Sequence, residues 1–321
     1  MRPFAYYAPR SLEEAIAVLR QQGEGGRPLA GGTDLLVQMK EGWGAAPYPV
    51  YIVSLRGIPE LKGLAREGPE ARAGWAKGDA RRLRIGATVT MAELETSPLI
   101  TQRFPILAQA AGRIGSVQVR YMATIGGNLC NASPSADLAP PLLALDAQAQ
   151  IAGTGGERTL PLKKLFLGPG KTALEPGELL AGILVPLLPP HSGASYLSHT
   201  PGKETGIAVA GVAVRVTLEA GRAIPLRGNP GPGGTGKKGA ISEARVALGA
   251  AAPTPMRARG AEAALVGQMP SEELFQRAAQ IAAAEAQPIG DVRGSAAFRR
   301  ELVRVLAARC LRQAVAMARE G

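Results

Sequence analysis

The chain has 321 residues, 46% of them hydrophobic, so it carries enough apolar side chain for a sizeable core and wholesale disorder is excluded. Lys+Arg 37 against Asp+Glu 26 leaves a formal charge of +11, which admits nucleic acid, an anionic cofactor or an acidic partner. Two cysteines, Cys130 and Cys310, cannot hold an iron–sulfur cluster or a four-cysteine zinc site, and His191 and His199 belong to no HExxH pattern, so no metal is expected on this chain alone.

In chain order, Ser11-Leu12-Glu13-Glu14 reads as a capping box, with Leu12, Ala15, Ile16 and Leu19 following at helical spacing and glycines from Gly23 ending the helix. A short apolar run breaks into Gly31-Gly32, a helix is predicted over Leu35 to Lys40, and Val50 to Leu55 has the β-branched and aromatic make-up of a buried strand. This opening is βαβ-like. Leu83 to Thr88 reads as a strand, Thr90 to Glu93 as a second capping box, and Phe104 to Ala111 as a helix entering a long connection, Gly112 to Ser135. Ala136 to Leu145 is predicted helical, and Gln148 to Ala152 and Leu160 to Phe166 form strands around a turn at residues 153–156. Beyond the proline-rich break Pro186 to Pro190, strands are predicted over Ile207 to Leu218 and Ala244 to Ala250, separated by a mobile Gly/Pro/Lys loop, Gly228 to Gly239. The rest is helical, with Phe298, Leu302, Val305, Ala308, Leu311 and Val315 as the stripe of one long amphipathic helix. The start has no apolar signal region and no apolar run reaches membrane-spanning length, so a cytoplasmic protein without a transmembrane segment is expected.

Two glycine-centred loops stand out, Ala30-Gly31-Gly32-Thr33-Asp34 and Thr124-Ile125-Gly126-Gly127-Asn128. Each reads either as a tight turn or as a run of unshielded backbone N–H groups leading into a helix, which suits a pyrophosphate. Thr33, Asn128 and Ser133 add donors, and Asp34 and Asp137 are acceptors for ribose hydroxyls. Two separate anion-binding loops favour a diphosphate cofactor over a single phosphate. Neither loop fits the Rossmann or P-loop pattern. Cys130 is read as a small buried hydrophobe and His199 as a solvated loop residue, and no catalytic acid–base set is visible, so no catalytic residue is assigned.

Taken together, these landmarks resemble the FAD-binding (medium) subunit of molybdenum hydroxylases, the group that includes carbon monoxide dehydrogenase and xanthine dehydrogenase. The resemblance rests on Phe4 to Pro9 followed by Ser11-Leu12-Glu13-Glu14-Ala15, on Ala30 to Leu35, on Ala123 to Leu129 with Ala132 to Pro140, and on Glu178-Leu179-Leu180. Ala247-Leu248-Gly249 with Ala252 to Pro255, and Asp291 to Ser295, are later landmarks. It implies an α+β fold: a two-part FAD-binding domain of the p-cresol-methylhydroxylase type over 1–180, with subdomains about 1–56 and 57–180, then a C-terminal domain of antiparallel sheet and helices over 181–321. It implies FAD held by Leu29, Ala30, Gly31, Gly32, Thr33, Asp34, Leu35, Ile114, Thr124, Ile125, Gly126, Gly127, Asn128, Ser133, Asp137, Leu180 and Tyr196. It also implies a [2Fe–2S] small subunit and a molybdopterin large subunit as partners in a dimer of heterotrimers, with electrons passing through FAD to an external acceptor. Gly202 and Gly206 depart from the family's pattern, standing where an arginine and an acidic residue are usual, and the Gly228 to Gly239 tract is longer than the norm. Arg299, Arg300, Arg304, Arg309 and Arg312 are either a docking surface or the wet face of the last helix. Two other classes stay open at this stage, an autonomous FAD-dependent oxidase or reductase of the same wider fold and a basic nucleic-acid-binding protein. Aromatics at 4% leave the latter few stacking platforms.

Overall fold

The computed structural model describes residues 2–42, 48–67, 82–202, 206–220 and 239–320. Residues 228–238 of the expected glycine-rich loop therefore lie outside the described residues.

The first unit alternates strand and helix: β1 (Ala5–Tyr7), α1 (Leu12–Gln22), β2 (Gly26–Leu29), α2 (Leu35–Glu41) and β3 (Tyr51–Ser54). Its strands form a parallel sheet in the order β1-β3-β2. The Ser11 hydroxyl caps α1 by accepting from Glu14 N–H at 3.1 Å, but the Glu14 carboxylate reaches back to Arg10 N–H at 2.8 Å, one residue short of a true box. Ala15, Ile16 and Leu19 then face Tyr51, Val53, Leu55, Ile58 and Leu61 in a closed core.

The second unit follows as β4 (Leu64–Glu67), β5 (Arg82–Gly86), α3 (Met91–Thr96), α4 (Pro98–Arg103), α5 (Pro105–Ala111), α6 (Val117–Met122), α7 (Ile125–Cys130) and α8 (Ala139–Ala144). It continues through β6 (Gln148–Gly153), β7 (Gly156–Pro161), β8 (Phe166–Gly168), β9 (Lys171–Thr172) and β10 (Leu179–Pro186). The box at Thr90 is complete, with Glu93 N–H to Thr90 Oγ1 at 3.2 Å and Thr90 N–H to Glu93 Oε2 at 2.7 Å. The expected long connection is largely helical, since α6 and α7 occupy it. The strand expected from Leu160 begins earlier, at Gly156, because the hairpin turns directly after Gly153. The antiparallel sheet runs β4-β5-β10-β6-β7, so the last strand in sequence is the central one. Strand β10 spans the boundary expected at residue 180, and we place the domain seam after it, in the Leu187 to Pro190 link.

The third unit is β11 (Ser192–His199), β12 (Ala210–Leu218), β13 (Ile241–Gly249), β14 (Met256–Arg257), α9 (Arg259–Leu265), α10 (Glu272–Glu285) and α11 (Ala296–Glu320). Its four strands form an antiparallel sheet in chain order, and α11 lies across β11 and β12. A side chain at Gly193 would overlap the Ala314 carbonyl oxygen, so glycine there lets the helix settle on the sheet. The face that α11 buries is Val303, Leu306, Ala307, Ala308, Cys310, Leu311, Ala314, Val315 and Ala318. Only the second half of the expected stripe, from Ala308, lies in it; Phe298 is 45% exposed. The reason is that the first turn is committed to Arg299, which is 4% exposed and donates to Val209 O at 2.8 Å and to Asp291 Oδ1 at 2.7 Å. Arg304 pairs with Glu301 and Arg312 with Glu272, so the arginine row is not a uniform free surface.

The third unit docks on the second through a continuous apolar core, in which Ala194, Tyr196, Ala213 and Ala247 join the α3–α5 and α8 residues. A charged hub flanks it. Asp146, held at φ +53 after α8, accepts from Arg257 Nη1 at 2.7 Å and Arg245 Nε at 2.7 Å, with Arg215 Nη2 at 3.4 Å. Arg215 also pairs with Glu243, and Glu262 pairs with Arg257 and Arg259. Three neighbouring strands thus point an arginine at one carboxylate of the preceding unit.

Candidate functional site

The first glycine loop begins where β2 ends, with Leu55 N–H donating to Leu29 O at 2.9 Å. The chain turns through Gly31 and Gly32, the latter at φ +79, and enters α2 with Leu36 N–H on Gly32 O at 3.0 Å. Asp34 stands at the cap position but its side chain makes no capping bond. The N–H groups of Gly31, Gly32, Thr33, Asp34 and Leu35 have no acceptor among the described residues. Five consecutive unpaired donors on a partly exposed loop are open to an anion, since successive free backbone N–H groups favour negative charge. At 7 residues α2 is short, so the donors matter more than any helix dipole.

The second loop is built differently. Thr124 caps α7, accepting from Gly127 N–H at 3.1 Å. Ile125 N–H donates to Val89 O at 2.9 Å and Gly126 N–H to Ala87 O at 2.8 Å, while Met91 N–H returns to Ala123 O at 2.9 Å. The expected bare N–H groups at this loop are therefore already spent on the segment after β5. What the loop offers instead is proximity and one acceptor. A Cβ on Gly126 would stand 2.6 Å from Ala87 O, whereas one on Gly127 would meet only Thr124 Oγ1 at 3.0 Å. Asn128 Oδ1 is buried with no partner among the described residues, an unmet acceptor that costs free energy until something donates to it.

The loops touch. A side chain on Gly31 would overlap the Met122 carbonyl, so the first loop lies flat on the backbone that leads into the second. Gln38 Nε2 also reaches Asn131 Oδ1 at 3.4 Å, joining α2 to the end of α7. Sequence reasoning singled out both loops and missed this wall of Met122 and Ala123, as well as the Ala87 and Val89 carbonyls. Its only trace in the sequence is the small residue at each crossing.

The remaining expected site residues fall in two groups. Ser133 Oγ accepts from Ser135 N–H at 3.3 Å, and Asp137 Oδ1 accepts from Tyr196 Oη at 2.6 Å. Burial pushes the Asp137 carboxyl above its ordinary range, against the pull of hydrogen bonds from Tyr196 and Ser198 and of the Arg113 charge. Burial and the neighbouring Asp137 raise the Tyr196 phenol, which stays a donor. Leu180, 4% exposed in β10, and the half-buried Ile114 belong to the apolar core beneath the site and bring no polar group. Burial lifts the Cys130 thiol to about 12, so it is no thiolate, and His199 sits at the end of β11 with its ring edge-on to Phe298 at 6.0 Å. No group of three or more potential metal ligands occurs among the described residues, and no described helix is long and apolar enough to cross a membrane.

Two glycine loops thus abut, one with unpaired N–H donors and one with an unmet acceptor, the chemistry of a phosphate-bearing cofactor site. A family model described as the FAD binding domain in molybdopterin dehydrogenase matches residues 2–188, and one described as the CO dehydrogenase flavoprotein C-terminal domain matches residues 195–314. The chain belongs to this family: it is an FAD-binding oxidoreductase subunit of the molybdenum hydroxylases. It is 33% identical to the carbon monoxide dehydrogenase medium chain of Hydrogenophaga pseudoflava, over 97% of this chain and 96% of that one. It is 30% identical to a putative xanthine dehydrogenase FAD-binding subunit of Escherichia coli, over 98% of this chain and 97% of the relative. Among solved structures, a carbon monoxide dehydrogenase chain from Oligotropha carboxidovorans superposes with a TM-score of 0.84 at 31% identity, covering 98% of both chains. A chain of quinoline 2-oxidoreductase from Pseudomonas putida 86 gives 0.82 at 26% identity, covering 99% of this chain and 98% of that one. The α+β architecture and the cofactor class are those of the family.

Proposed function

We propose that this subunit takes electrons from [2Fe–2S] centres of a small partner subunit, themselves supplied by a molybdenum cofactor in a large subunit, and passes them through FAD to an external acceptor. FAD, when bound, supplies a carrier that accepts electrons one at a time and releases them as a pair. The chain's own residues bind and orient it. The N–H groups of Gly31 to Leu35 would hold the pyrophosphate, and Asn128 Oδ1 would accept a hydrogen bond from the cofactor. The observation that carries the reading is the run of five N–H groups at Gly31 to Leu35 with no acceptor among the described residues. On this reading substrate hydroxylation belongs to the large subunit. We assign the chain to a dimer of heterotrimers on the strength of its family.

Co-expression with the neighbouring genes, followed by size-exclusion chromatography and extraction of the flavin, tests this. The expected result is a complex containing molybdenum, iron and FAD, in which substrate bleaches the flavin only when all subunits are present. A chain that elutes alone with FAD and turns over a substrate unaided is an autonomous flavoenzyme, and the subunit reading is then wrong.

A further inference from the structure

We propose that Tyr196 is a positioning residue for the cofactor site, acting from the C-terminal sheet through Asp137. The inference rests on the flavin-binding reading above. Asp137 closes the segment that leads from the second glycine loop into α8, and its Oδ1 accepts from Tyr196 Oη at 2.6 Å. Tyr196 is 1% exposed in β11, so its hydroxyl has no water to turn to, and Asp137 fixes its direction. The hydrogen bond to a carboxylate is of the stronger, charge-assisted kind. It commits Asp137 Oδ1 to the sheet, where Ser198 also hydrogen-bonds the carboxylate.

The surroundings are shaped for this bond. A Cβ at Gly211, on the neighbouring strand β12, would stand 2.9 Å from Tyr196 Oη and 3.3 Å from its ring. Glycine at 211 therefore gives the phenol the lane it needs to reach Asp137. Two residues along the same face of β11, Ser198 receives Arg113 Nη1 on both its carbonyl and its hydroxyl at 3.2 Å. The segment itself is pinned from the same sheet by Ala250 N–H on Pro134 O at 2.7 Å. Strand β11 thus presents two polar side chains to the FAD domain, and the one that meets a candidate ribose ligand is held most tightly. A merely packed tyrosine would need neither the short bond nor the glycine opposite.

The test has one arm that needs no flavin. In the full-length apoprotein labelled with [13Cζ]tyrosine, the resonance removed by Tyr196→Phe is expected to shift in Asp137→Ala and to stay near its wild-type position in Asp137→Asn, whose amide oxygen still accepts. An unmoved Tyr196 resonance in Asp137→Ala overturns the bond. In the second arm, FAD affinity is measured by flavin fluorescence for Tyr196→Phe, Asp137→Ala and the double variant. Tyr196→Phe is expected to weaken FAD about tenfold, Gly211→Ala to do the same by displacing the hydroxyl, and the double variant to match Asp137→Ala within about twofold. Losses that multiply in the double variant, or a Tyr196→Phe protein with wild-type affinity, overturn the positioning role. A wild-type protein that binds no FAD while the Tyr196 resonance behaves as described sinks the cofactor reading and this inference with it, and leaves only the hydrogen bond.

Discussion

In the first glycine loop the N–H groups of Gly31 to Leu35 lack acceptors among the described residues, whereas in the second those of Ile125, Gly126 and Gly127 are bonded to Val89, Ala87 and Thr124. The dipeptide is the same, but the need for glycine is not the same at every position. Gly31 is required by a backbone lying against it, Gly32 by a φ of +79, and Gly126 by the Ala87 carbonyl; Gly127 has ordinary φ and open space beyond Thr124. A glycine pair therefore says little until it is known which neighbour forbids the side chain. At Gly127 the only described neighbour is Thr124 Oγ1 at 3.0 Å, a side chain that can give way.

Substitutions separate the four. The largest effect is expected at Gly31→Val, where overlap with Met122 O forces the loops apart. About 3 kcal/mol of stability and all bound flavin should be lost, read by thermal unfolding and the visible spectrum. Gly126→Ala presses on Ala87 and is expected to cost about 2 kcal/mol with partial flavin loss. At Gly32→Ala the left-handed φ alone costs about 1–2 kcal/mol, and Gly32→Asn should recover part of it. Gly127→Ala is expected to change apoprotein stability by less than about 0.5 kcal/mol while weakening FAD, so an apoprotein as damaged as Gly126→Ala would erase the distinction. The one shift of opposite sign belongs to Asn128→Leu. Removing the unmet Oδ1 should raise apoprotein stability by up to about 1 kcal/mol and lower flavin occupancy, a trade seen only at functional positions.

Much of this was legible in the residues, and the failures have physical causes. The cap at Thr90 and the strand around Ile52 are local signals, and they hold because hydrogen bonds three residues apart and β-branched runs need no tertiary help. Strand β11 was invisible because Ser192-Gly193-Ala194-Ser195 has no β-branched residue; it exists because α11 needs small residues beneath it. The start of the α11 stripe was misread because Arg299 takes the inward position of the first turn and leaves Phe298 outside, while Ala307, Ala314 and Ala318 fill the buried face further on. At the site, both loops were apparent as glycine pairs, but the partners of their N–H groups were not. Val89 and Ala87 lie more than thirty positions away, and nothing in a dipeptide reports a distant carbonyl.

The hub around Asp146 bears on the charge read from composition. Arg215, Arg245, Arg257 and Arg259 meet Asp146, Glu243 and Glu262 there, four guanidinium groups against three carboxylates. Arg215 and Arg257 expose only 6% and 8% of their side chains. The hub is thus mortar between two domains with an excess of one guanidinium, so nearly all of the formal +11 lies outside it. In chromatographic terms, the folded chain should still be held firmly by a cation exchanger, because the charges that folding locks into the hub nearly cancel one another.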